Sequence, residues 1–79
     1  MNYPIYSVHD ALVGYQSPTL MNNDAHAMRN FAEAFEGTKN PQDYSLWHIG
    51  NFDTDTGLIE NIVPQIICRA SDFICKENE

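Results

Sequence analysis

Asp53-Thr54-Asp55-Thr56-Gly57 alternates carboxylates with hydroxyls and ends in glycine. Oxygen-rich runs of this kind can hold a hard cation such as calcium, which needs about six to eight oxygen ligands. The helix–loop–helix calcium pattern also requires glycine at its sixth position and glutamate at its twelfth. Here the glycine is fifth, and the flanking residues read as strands. A turn held by aspartate and threonine side chains is the favoured reading. His9, His26 and His48 could in principle gather as a metal or acid–base site. They belong to three different segments without a short ligand spacing, which favours surface or packing roles. Cys68 and Cys75 match no zinc or redox spacing and, on one regular helix, would stand too far apart to bridge. Free thiols in a reducing compartment are expected. No Gly-x-Ser-x-Gly elbow is present, and acidic turns alone do not make a hydrolytic carboxylate pair. The expectation is a protein that is not an enzyme, with no cofactor and no metal.

The aromatic residues carry a different chemistry. Tyr6, Tyr15, Tyr44, Trp47 and Phe52 fall in strand-like segments. On an open sheet face such rings can stack nucleic-acid bases, usually beside a basic groove. Only Arg29, Lys39, Arg69 and Lys76 are available to supply one. Tyr6, Tyr15, Arg29 and Lys39 are therefore candidate nucleic-acid-binding residues, with a core role for the tyrosines weighed equally. For Tyr44, Trp47 and Phe52, core packing and protein–protein contact are favoured. Arg29 is better explained by an ion pair, with Glu33 one turn on or with a sheet carboxylate, than by a phosphate.

The net charge is −7, from eleven acidic and four basic residues. Such a chain stays soluble and repels a phosphate backbone at long range. That argues against a general nucleic-acid coat and leaves room for a local basic or aromatic patch. With 79 residues the chain has room for one domain, residues 1–79, with a modest core. Self-association would help it by covering an exposed face or edge. The hydrophobic share of 43% is ordinary for a folded protein. The start of the chain lacks the pattern of a signal peptide, and no run approaches a membrane span.

The elements that position these residues follow from the pattern. Ile5–Val8 reads as a strand, His9–Ala11 as a turn and Leu12–Gln16 as its partner, with Ser17-Pro18 weakening the pairing beyond. Asn22, Asn23 and Asp24 offer N-caps, and Ala25, Met28, Phe31, Ala32 and Phe35 fall at helical spacing. The helix should run from about Asp24 to Glu36 and stop at Gly37. Residues 44–52 and 58–63, joined across Asp53–Gly57, form a second hairpin, in which Gly50 is a candidate bulge. If Gly50 does not shift the register, Trp47 and Ile49 share one face and Tyr44, Leu46 and Phe52 the other. After Pro64 a short helix carrying Ile66, Ile67, Ala70, Phe73 and Ile74 is preferred to an extended segment, and residues 76–79 should fray. The fold class is α+β: two β-hairpins form a small antiparallel sheet, with one helix packed on one face.

Three segments in this order carry a resemblance. They are Pro4-Ile5-Tyr6-Ser7-Val8-His9-Asp10 with Val13-Gly14-Tyr15, then Asn23-Asp24-Ala25-His26-Ala27-Met28-Arg29-Asn30-Phe31, then Pro41-Gln42-Asp43-Tyr44-Ser45-Leu46-Trp47-His48-Ile49-Gly50-Asn51-Phe52-Asp53 with Gly57. Together they resemble the small nonstructural protein of gokushoviruses, tailless single-stranded DNA phages of the microvirus group. That family is also described as a DNA-binding protein and as the counterpart of the microvirus C protein. The resemblance implies a non-enzymatic role in the switch from duplex genome replication to single-strand synthesis and packaging. It implies action in the cytoplasm of the infected bacterium and absence from the mature virion. Expected partners are phage or host replication proteins, single-stranded DNA and other copies of the chain, with no membrane. The family has no catalytic motif to carry over.

Overall fold

The computed structural model describes residues 1–74. Strand β1 (Asn2–Asp10) is followed by two short strands, β2 (Gly14–Tyr15) and β3 (Thr19–Leu20), then by helix α1 (Asp24–Ala34). A single 3-10 turn (Pro41–Asp43) leads into β4 (Tyr44–Asp53), which returns as β5 (Ile59–Arg69) and ends in a four-residue helix α2 (Ser71–Ile74). The sheet has five strands in the order β2-β1-β4-β5, with β3 also pairing with β1. All pairings are antiparallel. The α+β class, the two hairpins, the single main helix and the short C-terminal helix are as the sequence pattern predicts.

Several boundaries differ, each for a local reason. The first turn lies at Ala11–Val13, because His9 and Asp10 remain paired with both neighbouring strands. There the Asp10 carboxylate accepts from the Leu12 amide at 2.9 Å, an Asx turn. Helix α1 starts where expected, with the Asn23 side chain accepting from the His26 amide at 2.8 Å. It ends at Ala34, before the positive φ of 79° at Gly37.

The larger correction concerns Pro64. The chain does not begin a helix there; β5 runs through it to Arg69. Proline cannot donate to a ladder, but β5 pairs only with β4, and the register skips at this point. Gly50 pairs with Asn61 and His48 with Gln65, so Ile62, Val63 and Pro64 bulge out opposite the bulged Ile49. A missing N–H costs little at a bulge on an edge strand. Ile66 and Ile67 therefore belong to a strand, while Ala70 and Phe73 still join the core. Cys75 and the tail 76–79, expected to fray, lie outside the described residues.

The core lies between α1 and one face of the sheet. Tyr6, Ala27, Phe31, Leu46, Cys68 and Ala70 are buried together, with Val8, Met28, Phe35, Tyr44 and Phe73 packed around them. Cross-strand partners share a face of a sheet, so the register assigns the other face as well. On β1 that face holds Tyr3, Ile5, Ser7 and His9. Opposite them stand Tyr15 and Leu20 on the short strands, Ser45, Trp47, Gly50 and Phe52 on β4, and Ile59, Asn61, Ile66 and Arg69 on β5. Among the described residues no element covers it.

The bulge at Ile49 sets this grouping. Ile5 pairs with Gly50 but Tyr6 with His48, so the alternation of β4 skips one residue. Phe52 thereby moves to the face of Trp47, away from Tyr44 and Leu46. A β-carbon added at Gly50 would lie 2.9 Å from the Glu60 carbonyl oxygen. Gly50→Ala should therefore push β5 from β4 and destabilise the fold by about 1–3 kcal/mol. Urea unfolding of the variant would check this; an unchanged midpoint would contradict the close approach.

Candidate functional site

The uncovered face gathers aromatic and apolar side chains at both ends. At one end His9, Tyr15 and Trp47 form a cluster. The His9 and Tyr15 ring centroids are 4.7 Å apart, Tyr15 and Trp47 6.1 Å, and His9 and Trp47 6.4 Å, all edge to face. No ring in this group is stacked parallel on another. The Trp47 indole N–H donates to Ser45 Oγ at 2.7 Å, and Ser7 Oγ donates to the Gln16 carbonyl at 2.7 Å. Both serines are buried, so two short polar contacts beneath the cluster fix the indole and the start of the Gln16 segment. At the other end Tyr3, Ile5, Phe52 and Ile59 adjoin in register, with Leu20 beside Ile5. Tyr15 is 50% exposed, Leu20 49%, Ile59 63% and Ile66 40%.

Charge is distributed unevenly about this face. None of its paired residues is an aspartate or glutamate. Its ionisable groups with cationic forms are His9 and the exposed Arg69. Glu60 pairs with Asn51 on the opposite face, where Asn51 Nδ2 donates to its carboxylate at 3.2 Å. Asp24 and Glu33 lie on α1.

The residues singled out in the sequence are divided by the fold. Tyr15 stands on the open face. Tyr6 does not: it is 2% exposed, under α1, and its hydroxyl donates to the Asp24 carboxylate. The β1 alternation puts it on the covered side, which corrects its candidacy as a base-stacking residue. Arg29 is exposed on α1 and Lys39 on the loop after it, so neither joins Tyr15. Among the described residues no carboxylate lies within 4.0 Å of Arg29, and the expected pair with Glu33 is not formed. Trp47 and Phe52 share the open face, whereas Tyr44 packs against Phe35 of α1 at a centroid distance of 4.7 Å. Tyr3, His9, Ile59, Ile66 and Arg69 were not singled out for this face. The alternation of β1 could have indicated Tyr3 and His9; the others depend on bulges in β5.

The acidic turn and the histidines are occupied separately. Asp53 Oδ1 accepts from the Asp55 amide at 2.9 Å, and the Met1 ammonium donates to Asp55 Oδ2 at 3.1 Å. The Asp55 amide, with the Met1 ammonium and Thr56 after it, holds the Asp53 carboxyl below its ordinary range. Gly57 closes the turn at a φ of 77°. His9 is on the open face, His26 is on α1, and His48 lies against Tyr6 with Nε2 at 2.9 Å from the Gly50 carbonyl. Among the described residues no group of three or more histidine, cysteine, aspartate or glutamate side chains has metal-holding geometry.

Fold and face together define a small α+β protein with a sheet backed by one helix and bare on its aromatic side. The chain belongs to the Phage ORF5 protein family, whose model matches residues 3–73. It is thus a bacteriophage family protein. No curated protein and no solved structure matches it. No helix among the described residues is long and apolar enough to cross a membrane.

Two buried groups give this arrangement a pH dependence. Burial, then the nearby Asp72 carboxylate, pushes the Cys68 thiol from 9.0 up to about 11. Burial and the Asp24 carboxylate push the Tyr6 hydroxyl up as well. The unfolded chain releases the thiol proton near pH 9, the folded chain only near 11. Unfolding is thus favoured increasingly as pH rises through that window. The Cys68 contribution is on the order of 2 kcal/mol in all. Urea midpoints should fall from pH 9 to 11, and Cys68→Ala should flatten the slope. Tyr6→Phe, which removes the hydroxyl donated to Asp24, should cost about 1–2 kcal/mol at pH 7, read from the same unfolding curves.

Proposed function

We propose that this phage protein is a non-enzymatic accessory factor. It acts by binding during the passage from duplex genome replication to single-strand synthesis and packaging. The place of action is the cytoplasm of the infected bacterium, and the protein is not a component of the mature virion. The observation that carries a binding role is the open sheet face. Trp47, Phe52, Tyr15 and Ile59 are gathered there, and among the described residues nothing covers them. An apolar sheet face in a small domain is stable when something packs on it. Membership of the Phage ORF5 family and the resemblance to the gokushovirus nonstructural protein supply the setting. Partners in this reading are phage or host replication proteins.

Direct contact with single-stranded DNA is the second reading. It is favoured by one feature: the His9–Tyr15–Trp47 cluster lies at the same end of the face as Arg69, which pairs with Ser45. Aromatic rings beside a guanidinium are the elements of a stacking site. The charge of −7 opposes it at long range.

Two measurements test these readings. A phage genome in which this gene is disrupted should accumulate duplex replicative DNA and lose packaged single strands. A normal ratio of the two forms would refute the accessory role in this step. For the second reading, labelled oligothymidylate titrated with the protein should bind at low salt and weaken as salt rises. Tyr15→Ala should weaken it further. No anisotropy change at low salt would remove direct DNA contact.

A further inference from the structure

We propose that the open face of the sheet is covered by a second copy of this chain, two sheets packing face to face with the α1 helices outermost. This rests on reading that face as the contact surface, and it names the occupant.

Charge is the first argument. The chain carries −7, so its copies repel at long range. Yet the paired residues of the open face include no carboxylate. Bringing two such faces together desolvates no acid against another acid, the arrangement that would be most costly. The carboxylates of α1, of the Asp53–Gly57 turn and of the covered face stay outside, in water. A nucleic-acid strand asks for several cations along its path, and Arg69 and His9 are what this face supplies.

The edges of the sheet give the second argument. Self-association by strand addition needs a long unbroken edge. One edge is broken at Ser17-Pro18, between β2 and β3. The other, β5, is interrupted by the Ile62–Pro64 bulge. Proline and bulges block strand addition, so a second copy is better received on the face than along either edge.

Area gives the third. The nine residues of β1 span about 30 Å, and four strand widths about 19 Å, so the face projects roughly 570 Å² before side-chain relief is counted. A stable pair needs about 800 Å² of accessible surface from each partner. Ile5, Ser7 and Ser45 are themselves buried, so a pair would draw on nearly the whole face, the exposed Tyr15, Leu20, Ile59 and Ile66 included. Two sheets at the usual face-to-face spacing of about 10 Å would interdigitate these side chains.

Sedimentation equilibrium of the full chain tests the proposal. The expected result is a reversible monomer–dimer equilibrium between micromolar and millimolar protein, with Trp47 emission shifting to the blue as the dimer fills. Phe52→Glu and Ile59→Glu each place a carboxylate on the face and should raise the dimer dissociation constant at least about thirtyfold, with far-UV dichroism unchanged. Ile59 is 63% exposed, so its variant keeps the test valid if Phe52→Glu fails to fold. Arg29→Glu, on the outer helix, should leave the constant unaltered. A monomer throughout the range overturns the proposal, and so does a dimer that tolerates both face variants. A monomer whose Trp47 is quenched by oligothymidylate gives the face to DNA. That outcome overturns the dimer and leaves the binding role standing.

Discussion

The close approach of β4 and β5 at Gly50 governs the rest of the architecture. Any side chain there would meet the Glu60 carbonyl, so only glycine lets the two strands pair beside the bulged Ile49. The skip is small, one residue on β4 against three on β5. Its effect is large because side chains alternate with a period of two. Past the skip, residues that would have faced the helix face away from it. Phe52 and Ile59 consequently join Trp47, and the polar Asn51 and Glu60 take the helix side. The sheet is thereby divided into a half backed by the helix and a half with one polar and one apolar surface.

The covered half is built to be closed. Tyr6 crosses the core to the first residue of α1, tying the central strand to the helix start that Asn23 caps. Cys68 lies in the same layer with Leu46, and Ala70 and Phe73 complete it from the chain end. The uncovered face is built from equally large side chains that pack on one another but, among the described residues, against no helix. Trp47 and Tyr15 belong to the same surface, so the bare area extends along the whole of β1. A single eleven-residue helix can stabilise one side of a sheet this long, not two.

Much of the fold was legible from the sequence because the strongest signals were local. Asn23 as N-cap, Gly37 as stop and the spacing of Phe31 and Phe35 specify α1 without tertiary help. Asp53–Gly57 specifies its turn through its own side chains. Pro64 was misleading for the opposite reason. Its local preference fits a helix start, and only the bulge on an edge strand makes it acceptable in β5. The site was read in part. Tyr44, Trp47 and Phe52 read together as core or protein-contact residues, but the sequence left open whether Gly50 shifts the register, and that shift decides which of them share a face. Tyr6 and Tyr15 look alike in sequence, each followed by a polar residue, yet one lies beneath the helix and the other half exposed on the open face. Strand parity separates them, and parity is fixed by partners distant in the chain. Arg69 lay in a stretch assigned to the wrong element, so its place opposite Ser45 on that face could not be seen.

The placement of β1 has a consequence for the order of events in the living cell. The interior strand β1 is made well before its main neighbour, β4, which pairs Asp53 with Asn2 and Tyr44 with Asp10. Until residue 53 has emerged, β1 has only the two short strands to hold it, and Tyr6 has no Leu46 to pack against. Pairings so remote along the chain are slow to form, and the helix made in the interval has no complete surface to rest on. The sheet therefore takes its shape only after β4 has been made.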